Sequence, residues 1–252
     1  MSLTAGNHLR TLAFGDLGGG LWGAALHAAS PLLVFGDSSG ATWSAALPAD
    51  GWAAEGVGWR LTGDELELHV APGGEAEEME SGSDEATADL GGCDELCRVR
   101  GTVNVGGSVR TIDCVGTRCV IDGVDAGSLG SARMVSGWFG QDEAFMLLAL
   151  RAADAVGQET DLVAATLFDP DGWIAVDDPR LSTTYAASGV PSSTNLELWI
   201  GEGDNEFPRR VAGEASGDGA AFQAQDTELR VTPMRCHSRG REGTGVYVLA
   251  TF

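Results

Sequence analysis

Apolar positions in this chain follow two patterns, and both suit β-strands. Some segments alternate. Leu66, Leu68 and Val70 fall on one face, and Glu67 and His69 on the other, the period of a half-exposed strand. Other segments are apolar almost without interruption: Leu21–Ala28, Leu32–Phe35, Ala144–Leu150 and Leu162–Phe168. The last two flank a polar connection, Gly157-Gln158-Glu159-Thr160, and Asp169-Pro170-Asp171-Gly172 closes the second with strong turn chemistry. Ser136–Trp173 therefore reads as a long hairpin at the heart of a sheet. Residues Gln141–Val156 also suit a helix, with a stripe at Phe145, Leu148, Ala149, Ala152 and Val156. A continuous apolar run does not separate the two states, and the surrounding β pattern selects the strand.

Short strands and turns recur along the rest of the chain. Arg98–Val105 and Val109–Val115 meet at Gly106-Gly107 as a hairpin, and further short β segments continue to Phe252. This spacing predicts an all-β barrel or sandwich architecture. Two short echoes suggest two halves, residues 1–130 and 131–252. Leu33–Asp37 resembles Thr166–Pro170, and Asp64–Pro72 resembles Gln225–Pro233. Between Pro72 and Glu95 the chain carries nine acids and no arginine, a composition that cannot build a core and predicts a mobile acidic loop over 72–95 in the first half.

Charge removes several functions. The 252 residues hold 37 acids and 15 bases, a net charge of −22, and every base is arginine. Lysine chemistry (a Schiff base, a phosphate-loop lysine, a lysine general base) is excluded. Nucleic acid is not an expected partner of so acidic a chain. No apolar run reaches the length of a membrane span, and the N-terminal segment lacks the basic and apolar regions of a signal peptide, so a cytoplasmic protein without a transmembrane segment is expected.

The five cysteines, Cys93, Cys97, Cys114, Cys119 and Cys236, lack the tight pairing of a zinc ribbon. They read as reduced structural thiols, with a Cys93–Cys97 disulfide as the alternative; neither a metal nor a cofactor is expected. Hydrolase and metalloprotease motifs are absent. The remaining candidates are few. His27, at the end of an apolar strand beside Trp22, could act as an acid or base or be a strand-end histidine. Trp138, Phe139 and Trp173 bracket the central hairpin and could wall an apolar pocket or be plain core aromatics. Arg151 shares a strand face with Phe145 and Leu147, so it needs an acidic partner across the hairpin, with Glu159 or Asp161 the natural candidates.

Four segments resemble a known family: GTVNVGGSVR at 101–110, Gly137-Trp138-Phe139, Phe168-Asp169-Pro170-Asp171-Gly172, and GREGTGVY at 240–247. They are similar to the lipocalin-like two-barrel proteins related to carotenoid 1,2-hydratase and the AttH proteins. The resemblance implies two lipocalin-like, or calycin, antiparallel β-barrels packed together. It also implies a hydrophobic, isoprenoid-like small molecule as partner, and acid-catalysed hydration, cyclisation or isomerisation as the activity. The acidic and aromatic segment expected after the first hairpin reads here Asp113-Cys114-Val115-Gly116-Thr117-Arg118-Cys119, with the tryptophan missing. Only Asp113 carries over, as the acid, with His27 second. Trp22, Trp138, Phe139, Trp173 and Arg151 would then form the ligand pocket. The alternative is a non-catalytic binding or scaffold protein. Acid catalysis by Asp113 requires an enclosed carboxyl with a raised pKa.

Overall fold

Two curled antiparallel sheets make up the chain, each a half-barrel. A computed structural model describes residues 8–28, 30–73, 92–156, 161–201 and 207–252, with the backbone alone over 92–94. The first sheet holds β1 (His8–Gly15), β2 (Leu21–His27), β3 (Pro31–Asp37), β4 (Thr42–Ala46), β5 (Trp52–Glu55), β6 (Gly58–Gly63), β7 (Leu66–Pro72), β8 (Gly92–Val105) and β9 (Ser108–Asp122). After a short 3-10 turn at Ala126–Ser128 comes the second sheet. It holds β10 (Leu129–Trp138), β11 (Ala144–Ala152), β12 (Leu162–Asp169), β13 (Gly172–Ala175), β14 (Asp178–Tyr185), β15 (Pro191–Ile200), β16 (Phe207–Ala215), β17 (Ala220–Ala224), β18 (Thr227–Ser238) and β19 (Arg241–Thr251). Among the described residues no helix is long and apolar enough to cross a membrane.

The sheets repeat each other strand for strand. The first runs β4-β3-β2-β1-β9-β8-β7-β6-β5 and the second β13-β12-β11-β10-β19-β18-β16-β15-β14, with β17 an addition on β18. The echo between Leu33–Asp37 and Thr166–Pro170 joins β3 to β12, which occupy equivalent places. The other echo joins β7 to β18, whose places differ, so it is a coincidence of alternating sequence. Of the acidic stretch 72–95, residues 74–91 lie outside the described residues.

Strand faces divide the apolar residues among three cores. Leu12, Phe14, Ala25, Leu33, Phe35, Leu61, Leu68 and Val99 fill the concave face of the first sheet. Val135, Phe145, Leu147, Leu167, Leu198 and Tyr247 fill that of the second. Between the sheets lies a seam containing Leu9, Trp22, Leu26, Val34, Ile121, Met134, Trp138, Met146, Leu148, Phe168, Val231 and Val248. Strands β1–β3 and β10–β12 thus bury one face in a half-barrel and the other in the seam, which is why their sequences are apolar throughout rather than alternating. The core of Gln141–Val156 is accordingly a strand, β11, with Leu150 opposite Leu162 and Ala144 opposite Phe168 in the hairpin expected from the sequence.

One exchange anchors the equivalence of the halves. Phe14 of β1 lies opposite Gly23 of β2, whereas Gly137 of β10 lies opposite Phe145 of β11. Each phenyl ring occupies the space a side chain would need on its partner: a Cβ at Gly23 would stand 2.5 Å from the Phe14 ring, and one at Gly137 2.3 Å from that of Phe145. Gly137→Ala is expected to destabilise the protein by about 1–3 kcal/mol through overpacking. Adding Phe145→Leu should recover part of that loss relative to Phe145→Leu alone, as read by chemical denaturation of all four proteins in a double-mutant cycle; strict additivity would contradict the packing described.

Candidate functional site

The concave face of the first sheet changes from apolar to polar towards one end. On β9 that face carries Ile112, Cys114, Gly116, Arg118 and Val120, so an arginine stands where the alternation calls for an apolar side chain. Arg118 is 6% exposed. Its guanidinium lies over the Trp59 ring at 4.9 Å from the centroid, and its Nη2 donates to the Val57 carbonyl at 2.6 Å. Glu95, directly opposite on β8, forms its ion pair. Nη1 is buried and, among the described residues, has no hydrogen-bond partner.

Aromatic rings extend this site across the half-barrel. Trp59 meets Trp52 edge-on at 5.2 Å, and Trp52 stacks on His27 at 5.7 Å. The Trp52 indole N–H is the second buried donor here without a partner. His27 is half-buried, and burial, aided by the charge of Arg10 opposite it on β1, lowers its pKa below the ordinary histidine value. Its imidazole is therefore neutral at neutral pH and available as an acceptor or base. His27 on β2 and Arg118 on β9 flank β1 opposite Arg10 and Leu12, so their backbones stand two strand spacings and two residues apart, about 12 Å. A buried donor left unsatisfied costs about 1–3 kcal/mol. Two such donors, Arg118 Nη1 and Trp52 Nε1, belong to side chains that touch the Trp59 ring.

The residues singled out from sequence do not converge on one pocket. His27 belongs to the group just described. Trp22 and Trp138 are fully packed in the seam, and Trp173 packs against its edge. The void beside Trp22 and Trp138 measures about 10 Å³, room for one water at most. These tryptophans therefore do not wall a ligand cavity; the double-sided burial of β2 and β10 turns them into glue between the halves. Phe139 packs on the second concave core, against Phe145 at 6.3 Å. Arg151 faces the same core and pairs with Asp161 at 3.1 Å, as the hairpin register required. Glu159, the other expected partner, lies outside the described residues.

Asp113 takes a place opposite to the one an acid catalyst needs. It lies on the outer face of β9 with its side chain 53% exposed, held by Arg98 at 2.7 Å and Arg100 at 3.2 Å. Hydrogen bonds from those two guanidinium groups lower its pKa to about 2. Arg98 also donates to Gln141, so Asp113 steadies an arginine that reaches from the first half to the second.

A cleft of about 380 Å³ opens elsewhere, on β15, β16 and β18, with Glu197, Arg210, His237 and Arg239 in its lining. It is a solvent-facing groove containing an Arg210–Glu197 ion pair, without the buried unpaired donors of the Trp52–Arg118 group.

Three solved structures share this arrangement of two curled sheets. An AttH-like protein from Nitrosomonas europaea superposes with a TM-score of 0.60 at 14% identity, covering 96% of this chain and 91% of its own. The chain shares the fold of the AttH-like proteins. CghA matches with a TM-score of 0.63 at 10% identity, over 97% of this chain and 87% of its own. Kievitone hydratase from Nectria haematococca matches with a TM-score of 0.59 at 9% identity, over 98% of this chain and 90% of its own. No family model matches the sequence, and no curated protein matches it. At these identities the likeness is one of fold.

Sequence reasoning passed over Arg118, Trp52, Trp59 and Glu95. The available signal was the parity of β9, where Arg118 interrupts an otherwise apolar or small face. Because the Asp113 pKa is depressed in the fold, its contribution to stability is present above its unfolded value near 3.8 and fades as pH falls through about 2. The stability difference between wild type and Asp113→Asn should therefore be level above about pH 4 and vanish towards pH 2, as measured by denaturant titration across that range. A difference that instead grew on acidification would contradict the ion-pair assignment.

Proposed function

We propose that this protein binds a hydrophobic, isoprenoid-like small molecule bearing a carbonyl or hydroxyl oxygen, at the polar end of the first half-barrel. The observation that carries this reading is the pair of buried donors unpartnered among the described residues, Arg118 Nη1 and Trp52 Nε1, on two side chains that both contact Trp59. An oxygen acceptor from the ligand relieves their desolvation cost, and the rings of Trp52 and Trp59 offer apolar faces to its hydrocarbon part. Both concave cores are packed with large side chains, so the ligand sits at the end of the sheet rather than deep within it.

Binding without acid catalysis is the reading this geometry favours. Hydration of an isolated double bond asks for a carboxylic acid held neutral near pH 7. Asp113 is ionised and outside the site, and His27 is neutral and better suited to accept a hydrogen bond than to give up a proton. The hydratase among the structures of this fold supplies the competing reading, and it is tested in the same experiment.

The probe is β-ionone, an isoprenoid enone, compared with an isoprenoid hydrocarbon of similar size. Quenching of tryptophan fluorescence and calorimetry should show the enone binding at least about tenfold more tightly, the discrimination expected of one or two buried hydrogen bonds. Trp52→Phe keeps the ring and removes the N–H, and Arg118→Leu removes the guanidinium. Each should weaken enone binding several-fold and leave hydrocarbon binding nearly unchanged. Equal affinity for the two probes would overturn the proposed role of the donors. Incorporation of water into either probe, followed by mass spectrometry in isotopically labelled water, would restore the hydratase reading.

A further inference from the structure

The second half-barrel holds a polar group of its own at the equivalent end, built from different residues. Counting from the Phe14/Gly137 exchange, Arg10 corresponds to Arg133. Arg118, opposite Leu12, corresponds to Tyr247, opposite Val135. Glu95, opposite Arg118, corresponds to Thr232, opposite Tyr247. Thus the place of the Arg118–Glu95 ion pair is taken by a buried phenol and a buried hydroxyl.

Around that phenol the chain assembles a cluster. Tyr247 is 1% exposed, and its hydroxyl lies 3.1 Å from that of Tyr185, 62 residues away in sequence. The 252 residues contain only these two tyrosines. Thr183 donates to the Tyr247 oxygen at 3.5 Å. Thr232 is fully buried, and its hydroxyl has no partner. Arg133 and Arg151 both bind Asp161, whose side chain is 5% exposed. Among the described residues Asp161 is the one carboxylate within ion-pair distance of either arginine, so two guanidinium charges share one carboxylate charge. The cluster is open to solvent: the side chains of Arg133 and Arg151 are 25% and 30% exposed, and Tyr185 is 44% exposed. Val163, Leu181 and Leu249 are partly buried against the same core as Tyr247 and form its apolar wall.

We propose that this end of the second half-barrel is a second ligand site, selective for a small amphiphile with a carboxylate head. Among the described residues the cluster carries one net positive charge, which matches a monoanion. The guanidinium planes and the phenol hydroxyl of Tyr185 donate to its two oxygens, and the apolar wall receives the tail. Burial keeps the Tyr247 phenol protonated and therefore a donor.

The test uses octanoate and 1-octanol, which share a tail and differ in the head. The full-length protein is labelled with 13C on its tyrosine rings, so two residues report in the NMR spectrum, and binding is quantified by calorimetry. Octanoate should bind and shift both tyrosine signals, octanol at the same concentration should do neither, and Tyr185→Phe should weaken octanoate binding about tenfold. Arg118→Leu should leave it unchanged, which separates this site from that of the first half. Equal binding of octanol, octanoate binding without movement of the tyrosine signals, an unaltered affinity in Tyr185→Phe, or no binding of octanoate would each overturn the proposal.

Discussion

Burial of the central strands on both faces is the constraint on which the rest of this structure depends. A curled sheet covers one face by itself. The other faces of β1, β2, β3 and β9 carry Leu9, Trp22, Leu26, Val34 and Ile121, and need a second apolar surface. The matching strands of the second sheet provide it, and the seam that results joins two halves of the same strand order. Polar groups enter this seam only in pairs or at a cost. Thr117 donates to Ser136 at 2.8 Å, both fully buried, and this bond crosses from one half to the other.

That packing decides where chemistry can occur. The seam is filled, and the middle of each concave face is filled, so the clusters of charged and polar side chains stand at the sheet ends. In the first half the outcome is Arg118 with a free Nη1, Trp52 with a free N–H, and a neutral His27. In the second it is a tyrosine pair beside two arginines sharing an aspartate. The same backbone position, Arg118 in one half and Tyr247 in the other, carries the difference in charge between the two ends. The two halves of one scaffold thus present ends of different polarity, an arginine–tryptophan group in one and a tyrosine–arginine group in the other.

The fold was largely legible in the sequence because strand alternation and turn chemistry are local. The uninterrupted runs at 144–150 and 162–168 were strands for the reason that buried sheets lose their alternation, and Arg151 had to find an acid across the hairpin. The site was less legible. Tryptophans near apolar strands look alike in sequence, whether they pack in the first half-barrel beside Arg118, as Trp52 and Trp59 do, or seal a seam, as Trp22 and Trp138 do. Which face of a doubly buried strand points to which core depends on contacts between distant segments. Asp113 failed as an acid for a similar reason: its parity on β9 sends it outward, to Arg98 and Arg100, while Arg118, of the opposite parity, points in.

The central claim is that the unpartnered donors of the first half-barrel exist to receive a ligand oxygen. A crystal structure of the protein soaked with an isoprenoid enone tests it most directly. The enone oxygen is expected within hydrogen-bond distance of Arg118 Nη1 or Trp52 Nε1, with its hydrocarbon against Trp59. A ligand found only in the seam or in the groove by Arg239, or an acceptor from the protein's own chain occupying both donors, would contradict the account.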